Sequence, residues 1–486
     1  MRRGAGSLRR AAGRLRDRSR LLRGRLRPRG GLTRQTLVLA GATAVSQLGY
    51  AGLLVVVAKH AGPADLGAAT AAIGLGSFLG GLLDYGFTSY SLRELAAGRM
   101  ATVEYWSRLR AKLVLTAAVG LAAVLVAVVA LPDPGLVVGA AVVAFGRILV
   151  LGVTIPNRAD RRVASIAGVT VLERVVALVT YLVVDAVRPG DPVSALWLAL
   201  GLGTLVAGCC GLLLTPGGHR LVTSRRLVNP WSAVAGFGSY ALAVSACSLD
   251  TALLGLAGGG VQAGLYGAVS RWTQPAQLIA QSYAMAAVPP LAAAQSTRAA
   301  ARIVRNSLAF LLLGVAACAA LAAAAPALVP LVLGESYRGS APVLVLLAGS
   351  AAVVLLNQPL LTVLTSRGRD RFVGRATVVT VAAQLLGVWL LAGPAGALGA
   401  ALAALLSQAA LTVVLAVGLA RLIHGESAPD TAAPTPAPAA PVAPAEPATP
   451  TELSTPAGPT VPTGPAAPAA TPRAGEPAGA ATRLPR

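Results

Sequence analysis

Twelve stretches of this chain are apolar for about 18 residues or more, and that recurrence limits its fold more tightly than any motif does. A helix of about 20 such residues crosses a hydrocarbon core about 30 Å thick. The stretches are 36–58, 68–90, 113–131, 135–156, 163–185, 192–214, 233–256, 262–290, 307–329, 341–365, 376–392 and 396–420. Pro134, Pro156, Pro192 and Pro394 fall between them, where helices end or bend. The runs 163–185 and 262–290 also fit a buried or re-entrant segment. Composition agrees with a membrane protein: 55% of residues are hydrophobic and 12% charged, with a mean hydropathy of +0.69. The fold class expected is an all-α integral membrane protein with about 12 transmembrane helices.

The basic residues set an orientation, because cytoplasmic loops of a multispanning protein collect Lys and Arg. With twelve spans and both termini in the cytoplasm, the five internal loops hold eighteen Lys and Arg, and the six external loops hold Lys59, Arg188 and Arg338. Thirteen arginines lie within residues 1–34, directly before the first span, where they fix topology and attract anionic lipid. No aromatic residue is interleaved with them, so the formal charge of +23 does not point to nucleic acid. The first apolar run is too long for a signal-peptide core, and no cleavage site follows it.

Residues 424–486 hold 16 of the 33 prolines among Ala, Thr, Gly and Ser, and such a segment lacks the large apolar side chains that build a core. The expected organisation is therefore a basic N-terminal segment 1–35, a first group of six spans 36–214, a connecting loop 215–232, a second group of six spans 233–421, and a disordered Pro/Ala/Thr-rich tail 422–486. Cys209, Cys210, Cys247 and Cys318 lie in apolar runs without metal-site or disulfide spacing. There is no phosphate-binding GxxxxGK[ST] loop, no HExxH and no GxSxG, and His60, His219 and His424 all fall outside the spans. Catalysis, a metal and a cofactor are not expected, and any work done must draw on a gradient or the membrane potential.

The candidate functional residues are the ionisable groups placed within the membrane: Arg147, Glu173, Arg174, Asp250 and Arg271, with Asp84 at the end of the second span. A charge in lipid costs a few kcal/mol or more, so each faces a cavity or a partner. Arg147, Arg174 and Arg271 lie twelve, eleven and nine residues into their spans, near the bilayer midplane. Such a net positive belt suits an anion. A purely structural alternative pairs Arg147 with Glu173 and Arg271 with Asp250. In the eighth span Tyr266, Ser270, Gln274, Gln277 and Gln281 recur at helical spacing, flanked by Arg271 and Trp272, and Pro275 frees a backbone carbonyl. That polar stripe serves either a hydroxyl-rich ligand or interhelical hydrogen bonds.

In order along the chain, GPADLG, DYGFTSYSLRELA, SLDTALLGLAGGGVQAGLYGAVSRWTQPAQLIAQSYAMAAVPPLA, LVLGESYRGSAPVLVLLAG and GPAGALGAALAALLSQ resemble the landmarks of the polysaccharide transport branch of the multidrug/oligosaccharidyl-lipid/polysaccharide (MOP) exporter superfamily, the O-antigen-type flippases. The resemblance extends over residues 36–420 and implies two six-helix lobes around a central cavity that opens alternately to each side. It also implies a polyprenyl-pyrophosphate-linked oligosaccharide as substrate, membrane lipids as surroundings, and a bacterial plasma membrane as location. A polysaccharide polymerase or glycosyltransferases are candidate partners. Within the superfamily the alternatives are a peptidoglycan lipid-precursor flippase and a cation-coupled multidrug exporter; outside it, a membrane scaffold for glycan-assembly enzymes. PADLGAA before the second span echoes VQAGLYGA before the eighth.

After Asp84 the stretch LRELAAGRMATVEYWSRLRAK is amphipathic, with Tyr105 and Trp106 suited to the interface. Asp84, Arg93 and Glu94 there are either helix-terminal ion pairs or part of an inner gate, with Asp84 facing Arg93. The predicted topology is directly testable: cysteines introduced beside Arg188 and Arg338 react with an impermeant thiol reagent added outside, and those beside Arg161 and Arg369 do not. The opposite labelling pattern would invert the orientation.

Overall fold

The computed structural model describes residues 32–427, apart from 224–226, 233 and 294–296. The basic segment before Leu32 and the tail from 428 onwards lie outside the described residues. The secondary structure described is helical throughout: α1 Leu32–His60, α2 Pro63–Asp84, α3 Phe87–Ala96, α4 Thr102–Ala130, α5 Gly135–Ala159, α6 Val163–Val187, α7 Pro192–Leu214, α8 Arg220–Thr223, α9 Ala235–Ala246, α10 Asp250–Gly258, α11 Gly260–Ser270, α12 Gln274–Ala293, α13 Thr297–Leu333, α14 Ser340–Ser366 and α15 Asp370–Ser427.

Ten helical segments among the described residues are long and apolar enough to cross a membrane. One of them, in α15, runs for 54 residues and is two spans, since Gly396 has φ 55° and ψ −135° and breaks the helix beside Pro394. The run 262–290 appears as α11 and α12, separated by a 3₁₀ turn at Arg271–Thr273. Pro275 explains that break, because it has no N–H to offer the Arg271 carbonyl, which accepts from Gln274 instead. The run 233–256 is likewise broken by a 3₁₀ turn at Cys247–Leu249. All twelve apolar runs of the sequence are therefore helical, and the chain is a multi-pass membrane protein. The outward side of α4 carries Leu121, Leu125, Val126, Val128 and Val129, all exposed, as a helix facing lipid does.

Two positions differ from the sequence expectation. The second span ends at Asp84 rather than near residue 90, because Tyr85 (φ 41°) and Gly86 (φ 79°) are both left-handed and terminate α2. Tyr105 and Trp106 are fully buried rather than interfacial; α4 starts at Thr102, and its first turns pack with Phe87, Leu109, Ile148 and Ile155.

Packing within residues 32–214 joins α1 to α6, α2 to α5, α4 to α5, and α7 to α5 and α6. Within 235–427, α14 packs against α12, α13 and α15, and α10 against α15. Between these halves the main contact is α2 against α11. It is made of glycine: a Cβ on Gly67 would overlap the Gly260 carbonyl, one on Gly264 the Pro63 carbonyl, and one on Gly267 the Thr70 side chain. Gly67 and Gly264 approach each other's backbone reciprocally, as related segments meeting about a local twofold do. These are the two stretches whose sequences echo each other.

Near the Tyr85 end of α2, where Arg93, Arg99 and Arg108 cluster, Gly81 meets Ser245 and the Tyr85 ring lies on Gly238. There Trp231 donates Nε1–H to the Leu83 carbonyl at 3.1 Å and Arg108 donates to the Ser232 carbonyl at 3.1 Å, tying the connecting segment to α2 and α4. At the opposite face Tyr337 donates to the Ala61 carbonyl at 3.1 Å. Gly264→Val forces α2 and α11 apart and is expected to lower the unfolding midpoint in detergent, overpacking of this kind costing about 1–3 kcal/mol. Gly52→Ala, with nothing within 4 Å of the added methyl, should hold the midpoint or raise it slightly; equal losses in both would discredit the glycine seam.

Candidate functional site

A cavity of about 350 Å³ opens among α1, α2, α5, α6 and α7, with Arg271 completing its wall. Helical spacing builds it. Thr43, Ser46, Gln47 and Tyr50 form one face of α1; Ser77 comes from α2; Arg147, Val150, Leu151, Thr154 and Arg158 form one face of α5; Thr170, Glu173 and Arg174 come from α6, and Thr204 from α7.

The lining is strongly cationic. Arg147, Arg158, Arg174 and Arg271 face Glu173, four guanidiniums against one carboxylate, a formal charge of +3. Their partners are sparse. Arg147 donates to the Ser77 carbonyl at 3.2 Å, and Arg174 lies 3.5 Å from Glu173 Oε1. The Tyr50 ring sits under Arg174 at 4.4 Å and under Arg271 at 5.3 Å from its centroid. Arg147, Arg158 and Arg271 have no ion-pair partner among the described residues. Part-buried cations with donors to spare, as Arg147, Arg174 and Arg271 are, have the chemistry that suits an anion, since a guanidinium presents five N–H groups in a planar fork.

The structure thus brings Arg147, Arg174, Arg271 and Glu173 together. The structural alternative for the first is not realised: Arg147 and Glu173 form no ion pair, and Glu173 turns to its own neighbour Arg174. Arg271 does not pair with Asp250 either. Asp250 accepts from Tyr266 at 2.7 Å and from the Thr251 amide and hydroxyl at 2.6 and 3.1 Å.

The polar stripe of the eighth span does not line this cavity. Tyr266 is buried and committed to Asp250, Ser270 donates to the Gly267 carbonyl at 3.2 Å, and Trp272 packs on the main core. Gln274 is half-buried and Gln277 exposed, while the side chain of Gln281 lies outside the described residues. The 3₁₀ turn at Arg271–Thr273 advances about 120° per residue rather than 100°, so the periodicity that aligned these positions is broken between Ser270 and Gln274. Sequence reasoning missed Ser46, Gln47, Tyr50, Ser77, Thr154, Thr204 and Arg158. The signal is the run of polar positions 43, 46, 47 and 50 in an otherwise apolar span, whereas Arg158 falls between the apolar runs 135–156 and 163–185, where the sequence predicts an internal loop.

The expected Asp84–Arg93 pair is also replaced. Asp84 binds Lys112, whose side chain is 2% exposed, and accepts from the Thr88 hydroxyl at 2.8 Å. Lys112 also stands 4.7 Å over the Phe87 ring. The left-handed turn at Tyr85–Gly86 redirects the chain, so that Arg93, at 3.1 Å, and Arg99, at 2.7 Å, reach Glu94. Hydrogen bonding from Arg99 first, and then Arg93, holds the exposed Glu94 carboxyl down to about 2.

No family model matches the sequence, and no curated protein matches it. Solved structures do. The lipid II flippase MurJ in an inward closed conformation superposes with a TM-score of 0.64 at 10% identity, covering 79% of this chain and 87% of MurJ. An inward-facing multidrug resistance MATE family transporter of the MOP superfamily gives 0.56 at 15% identity, covering 81% of this chain and 100% of its own. A MOP superfamily transporter from Pyrococcus furiosus, described by the reverse polarity of its binding pocket, gives 0.51 at 14% identity over 80% and 95%. The chain has the fold of the MOP-superfamily transporters, and at these identities the likeness carries the fold alone.

The Asp84–Lys112 pair makes a separate prediction. Breaking a buried pair leaves one charge uncompensated, at about 3–5 kcal/mol. Asp84→Asn and Lys112→Met should each lower the unfolding midpoint sharply, and the double variant should lose clearly less than the sum of the two. Additive losses in thermal unfolding would show that the pair is not coupled.

Proposed function

We propose that this chain is a flippase that moves a polyprenyl-pyrophosphate-linked oligosaccharide from the cytoplasmic to the outer leaflet of the bacterial plasma membrane, for cell-surface polysaccharide assembly. The observation that carries the reading is the cavity with four guanidiniums against one carboxylate inside a MOP-type helical bundle. A sugar pyrophosphate loses many hydrogen bonds in hydrocarbon, which makes unaided crossing prohibitive. Arg147, Arg158, Arg174 and Arg271 supply donors and charge to the pyrophosphate, and Thr43, Ser46, Gln47 and Thr170 supply hydroxyl and amide partners to sugar. The lipid tail stays outside in the bilayer. Six-helix lobes 36–214 and 233–421 rock about the α2–α11 seam to open the cavity to either face. Outward movement of an anion gains about 2.3 kcal/mol per charge per 100 mV from a potential negative inside, so the reading requires no separate proton site. The basic N-terminus and the tail are where a polymerase or glycosyltransferases would dock.

The likeness to MurJ favours a second reading, in which the cargo is a peptidoglycan lipid precursor. It uses the same pyrophosphate chemistry and differs in the sugar portion. The multidrug-exporter reading is disfavoured by the cavity's charge, which repels cations. Reconstituted into liposomes with a lipid-linked oligosaccharide, Arg271→Ala should lose most translocation, and Arg271→Lys should keep part, since an ammonium holds charge without the planar fork. Unchanged translocation by well-folded Arg271→Ala would refute the site. Native mass spectrometry of the protein with its co-purifying lipid separates the two cargoes by the mass of the headgroup.

A further inference from the structure

Tyr50 is 7% exposed and belongs to the main apolar core, yet its ring also faces the cavity. Its position follows from packing: the neighbouring Gly49 has no side chain, and a Cβ there would lie 3.5 Å from the Cβ of Arg174, so α1 and α6 approach closely at this level. The ring therefore lies against Arg174 of α6 at 4.4 Å. The same ring lies 5.3 Å from Arg271, which comes from the other half of the chain, at the 3₁₀ break between α11 and α12. One aromatic ring thus serves two like charges, one from each half.

Two guanidiniums repel each other, and away from bulk water that repulsion is screened less than at a surface. An aromatic face offsets it, because the ring's negative quadrupole attracts both cations without neutralising either. A carboxylate in the same place would quench the charge an anion needs, and an aliphatic side chain would offer nothing. Resting on the flippase reading above, we propose that Tyr50 is a positioning residue. It holds Arg174 and Arg271 together across the seam, so that the pyrophosphate site is complete only when the two halves are apposed as they are here. Anion affinity is then tied to the arrangement of the halves through one ring.

The contact is made by the ring face, so Phe serves as well as Tyr, while pentafluorophenylalanine keeps the shape and inverts the quadrupole. The full-length protein in lipid nanodiscs is titrated calorimetrically with inorganic pyrophosphate as the probe. Tyr50→Phe should bind as the unmodified protein does. The pentafluoro residue and Tyr50→Leu should weaken binding by about tenfold or more. Equal binding by the Phe and pentafluoro proteins overturns the inference, as does an equal loss in Tyr50→Phe and Tyr50→Leu, which would assign the effect to the hydroxyl. If pyrophosphate binds the unmodified protein and Tyr50→Leu alike but not Arg271→Gln, the anion reading stands and the role of Tyr50 falls. If the unmodified protein ignores pyrophosphate, both fall together. The isosteric pair keeps the test decisive even where Tyr50→Leu fails to fold.

Discussion

A cation in hydrocarbon must be given a counter-charge, water or a π face, and most of this bundle's polar architecture follows from how that demand is met. Two solutions coexist. Lys112 is neutralised by Asp84 within one half, with Phe87 beneath it and Thr88 completing the carboxylate, so the arrangement has no capacity left for a ligand. Among the described residues, Arg147 receives one carbonyl, Arg174 a carboxylate at 3.5 Å and the Tyr50 ring, and Arg271 that same ring. The first is a structural charge and the second a set of unspent donors around a cavity. Burial separates them too, since the Lys112 side chain is 2% exposed and that of Arg174 24%.

The seam beside that cavity is built from absent side chains. Gly67 and Gly264 let α2 and α11 come into backbone contact, which gains dispersion where no hydrophobic driving force exists between helices in lipid. At Gly67 and Gly264 the contact is backbone on backbone, with fewer interlocked side chains than a knobs-into-holes interface has. Towards the Tyr85 end the same helix meets the other half through Gly81 and Gly238, while Trp231 and Arg108 anchor the connecting segment by backbone carbonyls. α2 is thus the shared wall along most of its length.

The sequence exposed the membrane class and the helical runs because both are averages over many residues, and a burial cost of a few kcal/mol per charge singled out Arg147, Arg174 and Arg271. What it hid was local. The end of α2 depends on Tyr85 adopting a left-handed conformation that nothing in its chemistry requires. Tyr105 and Trp106 read as interfacial aromatics by composition, but they stand in the first turns of α4 and are covered by side chains of α3 and α5. The glutamine stripe failed because a periodicity argument assumes an unbroken helix, and the break lies at its centre. Pro275 signalled the break; its phase consequence was not legible. Ser46, Gln47 and Tyr50 carried a weaker signal, since small polar positions at helical spacing in an apolar span more often serve packing between helices.

The two halves divide the work unequally. Residues 32–214 cross as unbroken helices and carry three of the four cavity arginines, whereas the corresponding early helices of the second half, α9–α10 and α11–α12, are each interrupted by a 3₁₀ turn. A 3₁₀ turn has poorer hydrogen-bond geometry than the helix around it, so it yields first when the chain bends. Arg271 stands on one of those turns, and Asp250, held by Tyr266 and Thr251, begins the helix after the other. On the proposed reading, a cationic half of unbroken helices and a jointed half that contributes one further cation would form a site whose completeness depends on conformation. In the proposed transport cycle this asymmetry is useful, because a site that stayed complete in every conformation would hold its anion rather than release it.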